Sequence, residues 1–248
     1  LNLEITKPIK KKLKTNYFKV INRKQLNIDN TFLLELQSEK NFNFKSGDLL
    51  NILPKENNYT RQYSIGKIGE DLLLSIKKHD QGFCSSYLSE LNIGDSLNAT
   101  FESNSNFHFP KKAHSVILIS NGTGIAPFLG MINENNTQIP LYLFWGGRTK
   151  ESLKIYEKYI NRAISKNNLS HFYKALSKEN KKEYVQDVLI ENKDQVCETI
   201  KNNGVIMICG SLSMQHDVLD VLEEISSKNL NQSLSEFENN GQLLLDCY

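Results

Sequence analysis

Neither sign of charge prevails in this 248-residue sequence: 30 Lys and Arg stand against 28 Asp and Glu, for a net charge of +2. A balance that close gives no general attraction for nucleic acid or for an anionic membrane. Cysteine is scarce, with four residues (Cys84, Cys197, Cys209, Cys247) and no CxxC pair. That excludes a disulfide scaffold and fits a reducing, cytoplasmic compartment. The five histidines show no HxxxH or CxxC companionship, so no metal site is expected. No apolar run approaches the ~20 residues of a membrane span, and no signal-peptide pattern is present.

What is there describes an ordinary globular protein, with 39% hydrophobic and 23% charged residues. The length suits one large or two small domains. The chain begins with Leu, so a piece of a longer polypeptide is expected, and any membrane association would come through that parent chain. Residues 1–16 hold the run "KPIKKKLK", read as a solvated basic leader or as a segment against an anionic partner.

From residue 17 to 111 the pattern is of short alternating strands: "YFKVINRKQL", "TFLLELQ", "DLLNILP", "RQYSIG" and "DLLLSIKK". Asn, Asp, Gly and Ser clusters separate them, which predicts a small antiparallel β-barrel with one helix over "FCSSYLSEL". From 112 to 248 the texture changes. Buried-type strands ("SVILIS", "PLYLFWGG", "GVIMICG") alternate with helical stretches ("KESLKIYEKYINRAISK", "YVQDVLIENKDQVCETI", "SMQHDVLDVLEEISSK"), which predicts a doubly wound parallel α/β sheet.

The chemistry-bearing residues fall at predicted strand ends. "NGTGIAPF" links a strand to a helix, where a doubly wound sheet binds phosphates, and Pro127 suits the first helical turn. Its spacing is not GxGxxG and no acidic residue closes the next strand, which argues against the usual NAD fingerprint. "LSKENKKEYVQD" gathers Ser177, Lys178, Lys181 and Lys182 before Tyr184 and Gln186, a set that suits a phosphate on an adenosine. Alone it is a solvated lysine loop. In "TRQYSIGK", Arg61 and Tyr63 share one strand face and Gln62 and Ser64 the other; the pair is either a half-exposed strand or a clamp for something flat and anionic.

Taken in order, "RQYS", "GFCSS", "GTGIAPF", "WGGRTK", "YVQD", "CGS" and "LLLDCY" resemble the ferredoxin–NADP reductase family. The likeness is strongest to the flavin-reductase half of sulfite reductase flavoproteins and NADPH–cytochrome reductases. It implies a Greek-key barrel for FAD followed by an NADP-binding α/β domain. It also implies that Arg61, Gln62, Tyr63 and Ser64, with Gly82, Phe83, Cys84, Ser85 and Ser86, bind FAD, and that Tyr248 covers the flavin. By the same resemblance Gly122, Thr123, Gly124, Ser177, Lys178, Lys182, Tyr184, Gln186 and Cys209 bind NADPH, while Ser64, Cys209, Asp246 and Tyr248 line the hydride-transfer site. The sequence departs from the pattern with Lys178 for the usual Arg, "CGS" for "CGD", and Cys247 before the final aromatic. Only Lys55–Thr60 lies where full-size diflavin reductases carry a long insert, and no FMN domain is present.

The expected function is therefore hydride transfer from NADPH to FAD, with electrons leaving to a flavodoxin-like, haem or iron–sulfur acceptor, whether a separate redox protein or a fused FMN domain. Two alternatives stand beside it: a ferredoxin-type reductase running toward NADPH, and a flavin-binding interaction module of a larger membrane or signalling protein.

Overall fold

The computed structural model describes residues 16–39, 42–54 and 60–248. The basic run from Lys7 to Lys14 lies outside the described residues, as does most of the short segment before "RQYS". Seven strands form the first sheet: β1 (Asn16–Lys24), β2 (Thr31–Ser38), β3 (Leu49–Leu53), β4 (Arg61–Ser64), β5 (Gly66–Ile68), β6 (Asp71–Lys77) and β7 (Ser96–Glu102). Their order is β4-β3-β7-β1-β2-β6-β5, with every pairing antiparallel. The two edge strands β4 and β5 are consecutive in the chain with only Ile65 between them, so the sheet curls into a barrel. Phe18, Val20, Leu34, Leu50, Ile52 and Leu74 fill it, and helix α1 (Phe83–Glu90) closes one side with Leu88.

The second sheet is wholly parallel: β8 (Val116–Asn121), β9 (Leu141–Gly147), β10 (His171–Leu176), β11 (Val205–Gly210) and β12 (Leu243–Cys247), ordered β10-β9-β8-β11-β12. Helices cover both faces, which explains the unbroken apolar strands. Val116 and Leu118 of β8 pack into one core, and Ile117 and Ile119 into the other. The chain order reverses between β8 and β11, the switch point where such sheets hold ligands.

Two expected helices are each divided. The stretch from Lys150 forms α3 (Lys150–Leu153) and α4 (Glu157–Ser165), with Ile155 and Tyr156 buried in the link. The stretch from Val185 forms α5 (Val185–Glu191) and α6 (Lys193–Lys201). Asn192 makes that break, because its side-chain amide donates to Val188 O at 2.8 Å and competes with the helical ladder. Helices α2 (Ala126–Asn133), α7 (Leu212–Leu230) and α8 (Leu234–Asn239) complete the fold. No helix among the described residues is long and apolar enough to cross a membrane.

Two glycines let the domains meet closely. A Cβ on Gly66 of β5 would come within 2.3 Å of Ala126 O, and one on Gly130 of α2 within 2.4 Å of Lys67 N. Leu33 and Leu73 of the barrel share a core cluster with Phe128 and Leu129 of α2, so the seam is apolar. Across it Tyr156 Oη lies 2.7 Å from Ser75 Oγ, a buried polar pair that satisfies both hydroxyls.

Candidate functional site

A cleft of about 1050 Å³ opens over β4 and the start of α1. Arg61, Gln62 and Tyr63 line it from the strand; Gly82, Phe83, Cys84 and Ser85 line it from the helix. Helix α1 begins at Gly82 without a side-chain cap, so its first-turn N–H groups are open to an anion beside Arg61. Glycine is required there, since a Cβ would sit 2.5 Å from Ser85 Oγ. The Ser85 hydroxyl serves the turn itself, donating to Gly82 O at 3.0 Å and accepting from His79 N–H at 3.1 Å. The Ser86 amide donates to Gly82 O at 2.8 Å, and Ser86 is not in the cleft lining. Gln62 is tied to Glu102 at 2.8 Å. Burial pushes both the Tyr63 phenol and the Cys84 thiol up, and the two are hydrogen-bonded, so both are neutral beside Arg61.

A second cleft of about 580 Å³ runs across the C-terminal ends of β8, β9 and β11. Arg61, Lys77, His79, Thr123 and Tyr248 line both clefts and mark where they meet. The Tyr248 side chain is 62% exposed, its hydroxyl bonds Thr123, and its N–H donates to Gly210 O at 3.0 Å. Gly122, in the left-handed region at φ +50°, has its carbonyl held by Trp145 Nε1 at 3.1 Å and by the Tyr156 hydroxyl at 3.3 Å. Gly124 lines neither cleft. It packs on β11, where a Cβ would meet Cys209 O at 2.3 Å, so this glycine answers to strand packing rather than to direct ligand approach.

Ser177, Tyr184 and Gln186 line the far end of the second cleft. Lys182 Nζ stands 5.1 Å from the centre of the Tyr184 ring, which brings an ammonium and an exposed aromatic together. Gln186 is held by Asp217 at 3.1 Å. Lys178 lines neither cleft, though its N–H bonds Arg148 O at 2.8 Å. Lys181 is engaged by Glu183 and Glu191.

Next to Tyr248, which is bonded to Gly210, the parallel register of β11 and β12 sets Cys209 opposite Asp246; neither these two residues nor Ser64 lines either cleft. Asp246 Oδ2 accepts from the Ser64 hydroxyl at 2.6 Å and lies 3.8 Å from Cys209 Sγ; its Oδ1 accepts from Asn104 Nδ2 at 3.3 Å. Burial raises the Asp246 carboxyl against the pull of these hydrogen bonds. The fully buried Cys209 thiol is pushed well up by burial and by Asp246, so it stays protonated. A hydroxyl, a thiol and a carboxyl therefore share one small site that can hold or pass a proton. Burial also pushes the neighbouring Cys247 thiol up to about 11.

Comparison with known proteins agrees with this geometry. Residues 118–220 match the family described as the oxidoreductase NAD-binding domain. An NADPH-dependent diflavin oxidoreductase 1 from Gibberella zeae is 27% identical over 147 residues, 57% of this chain and 24% of that protein. The sulfite reductase [NADPH] flavoprotein alpha-component of Photobacterium profundum is 27% identical over 231 residues, 84% of this chain and 37% of that one. This chain thus spans well under half of either relative. The structure of a ferredoxin-NADP+ reductase from Plasmodium falciparum superposes with a TM-score of 0.76 at 21% identity, covering 94% of this chain and 96% of that one.

The chain has the two-domain fold of that reductase, and residues 118–220 of it match an oxidoreductase NAD-binding domain.

In this fold the clefts fit the groups that the sequence resemblance implies. The larger offers a guanidinium, an uncapped helix start and tyrosine rings, which is the chemistry of a site for a flavin dinucleotide. The smaller offers a glycine turn at the sheet's switch point, the Arg148 guanidinium and the Tyr184 ring with Lys182 beside it, which suits a phosphorylated adenine dinucleotide.

Sequence reading missed five site residues. Asn104 lies in "ESNSNFHF", where nothing distinguishes one Asn from the next. Asn121 and Ser211 exchange two hydrogen bonds of 3.0 Å, locking the turn after β8 to the turn after β11. Arg148 lines the second cleft and is partnered by Asp29 of the barrel at 3.4 Å. The "WGGRTK" motif pointed to Arg148 without singling it out; Asp29 carried no signal.

Proposed function

We propose that this chain is the FAD- and NADPH-binding reductase module of a flavoprotein oxidoreductase. It takes hydride from NADPH and sends electrons to a flavodoxin-like, haem or iron–sulfur acceptor, on a separate cytoplasmic protein or on another part of the same polypeptide. The observation that carries this reading is the meeting of two clefts along Arg61, Lys77, His79, Thr123 and Tyr248, with Tyr248 bonded to Gly210 beside the Ser64–Asp246–Cys209 cluster. The names of the relatives, a diflavin oxidoreductase and a sulfite reductase flavoprotein, both NADPH-dependent, support the choice of coenzyme and of a redox-protein acceptor.

When bound, the two cofactors supply hydride and electron chemistry; the protein's task is alignment and proton control. Arg61 and the start of α1 anchor one pyrophosphate, and Tyr63 packs on the flavin system. Lys182, Tyr184 and Ser177, with Lys178 nearby, hold the 2′-phosphate and adenine. Gly122 and Thr123 lie along the nicotinamide half of the coenzyme. Tyr248 shields the junction until coenzyme displaces it. Ser64, held by Asp246, presents its hydroxyl at the transfer point, while neutral Cys209 backs the carboxyl.

An anaerobic absorbance titration of the FAD-loaded protein with NADPH and, separately, with NADH tests this. Bleaching of the flavin band by NADPH at much lower concentration than by NADH is the expected result. Failure of both coenzymes to bleach a fully loaded protein would overturn the reading.

A further inference from the structure

The Asp246 carboxylate is held from the barrel side by more than β4. Asn104, whose Nδ2 reaches Asp246 Oδ1 at 3.3 Å, sits just before the 3-10 turn Ser105–Phe107, with φ −108° and ψ 66°. A short amide on a loop can be aimed only if its backbone is fixed. Asp48 supplies that fixing. Its side chain is buried, and Oδ1 accepts from Asn104 N–H at 3.0 Å and contacts His108 Nε2 at 2.6 Å. Its Oδ2 accepts from Lys45 N–H at 2.9 Å. Asp48 therefore grips both ends of the 104–108 turn. Its backbone carbonyl meanwhile accepts from Ile65 N–H at 3.0 Å, the residue directly after Ser64. A single buried residue thus braces both barrel donors that reach Asp246.

We propose that Asn104 is a positioning residue for Asp246, aimed by the buried Asp48 carboxylate and its half-buried partner His108, and that this network lets the barrel set the orientation and proton affinity of a carboxyl in the other domain. The catalytic consequence rests on the function proposed above; the positioning itself belongs to the chain alone. The titratable groups facing Asp246 are the Cys209 and Cys247 thiols and the Tyr248 phenol, each with its pKa raised by burial and so uncharged near neutral pH. With neutral neighbours, the proton affinity of Asp246 depends on burial and on its hydrogen-bond donors.

The test is a ¹³C NMR titration of the Asp246 carboxyl in the whole chain, assigned by its loss in Asp246→Asn. In Asn104→Ala a donor to the charged form is gone, so the Asp246 pKa rises by about one unit. His108→Ala gives a rise of the same sign. His108→Gln, which keeps a donor near the Nε2 position, stays close to the parent. The FAD-loaded Asn104→Ala protein is bleached by NADPH about tenfold more slowly, the loss expected when one hydrogen bond to a charged group is removed, with KM unchanged. An unshifted Asp246 titration in a folded Asn104→Ala protein overturns the proposal. So does a His108→Gln protein that behaves like His108→Ala. A shifted titration with an unchanged bleaching rate supports the positioning and instead removes Asp246 from the transfer site.

Discussion

The Ser64 hydroxyl donates to Asp246 across 2.6 Å, joining a barrel strand to the last strand of the other sheet, 182 residues away. Neither half of the chain holds this pair alone, so the proposed transfer site exists only where the domains meet. Ser64→Ala removes the shortest hydrogen bond to the carboxylate. Hydrogen bonds to charged groups are worth about 1.5–3 kcal/mol, or roughly ten- to a hundredfold in rate if formed in the transition state. Rapid mixing with NADPH is expected to show a loss of that size, with FAD content unchanged because Arg61 and the Gly82 turn are untouched. A Ser64→Ala protein that reduces at the parent rate would remove Ser64 from the transfer site.

Tyr248 faces both clefts and is bonded to Thr123 between them. A coenzyme entering from the second cleft has to displace the ring, at the same cost whichever coenzyme enters. Tyr248→Ala is therefore expected to lower the KM of NADPH and of NADH by a similar factor, leaving their ratio to the 2′-phosphate contacts. Steady-state KM values for both coenzymes check this, and unchanged values for both would place the ring elsewhere during turnover.

Lys182 lines neither cleft itself but stands over Tyr184, which lines the second, and this places its ammonium beside the site proposed for a 2′-phosphate. Lys178, a point charge without the Arg fork, stands one loop position away from Ser177. The double change Lys178→Ala with Lys182→Ala is expected to weaken NADPH by about tenfold or more, as loss of charge-assisted contacts implies, while NADH is little affected. Equal weakening of both coenzymes would refute the assignment.

Much of this site was legible because its constraints are local. The "RQYS" alternation, the glycine turn after β8 and "CGS" after β11 each record what one strand end must do, and each sits where the sequence pattern implied. Strand β7 escaped because Ala99 is its central inward residue and Asn98 and Thr100 flank it, leaving only Leu97 and Phe101 as large apolar markers. Gly124 carries the same letter as Gly122 for another reason: one packs on a strand, the other adopts a left-handed turn. Asn104 was invisible because its partner lies 142 residues away, and loop Asn residues are common throughout this chain. What the sequence hides are contacts made by tertiary packing alone.

Asp48 gives the network a pH signature. Burial alone would push its carboxyl up, but His108 and the N–H groups of Lys45 and Asn104 outweigh burial, so it lies below the ordinary 3.8. The folded protein therefore holds this proton less tightly than the unfolded chain does. Ionised Asp48 stabilises the fold at all pH values above 3.8, and that contribution fades as pH falls through its lower folded value. Asp48→Asn removes the charge and weakens the bond to His108. At about 2 kcal/mol for hydrogen bonds to a charged group, the melting temperature near neutral pH is expected to drop by roughly 4–8 °C in a protein of this size. The gap between variant and parent should shrink as melts are repeated from pH 5 down to about pH 3, because the parent then begins to lose the same contribution. Other carboxylates titrate in both proteins and cancel in the difference. A gap that stays constant across that range would mean that Asp48 acts through packing rather than charge.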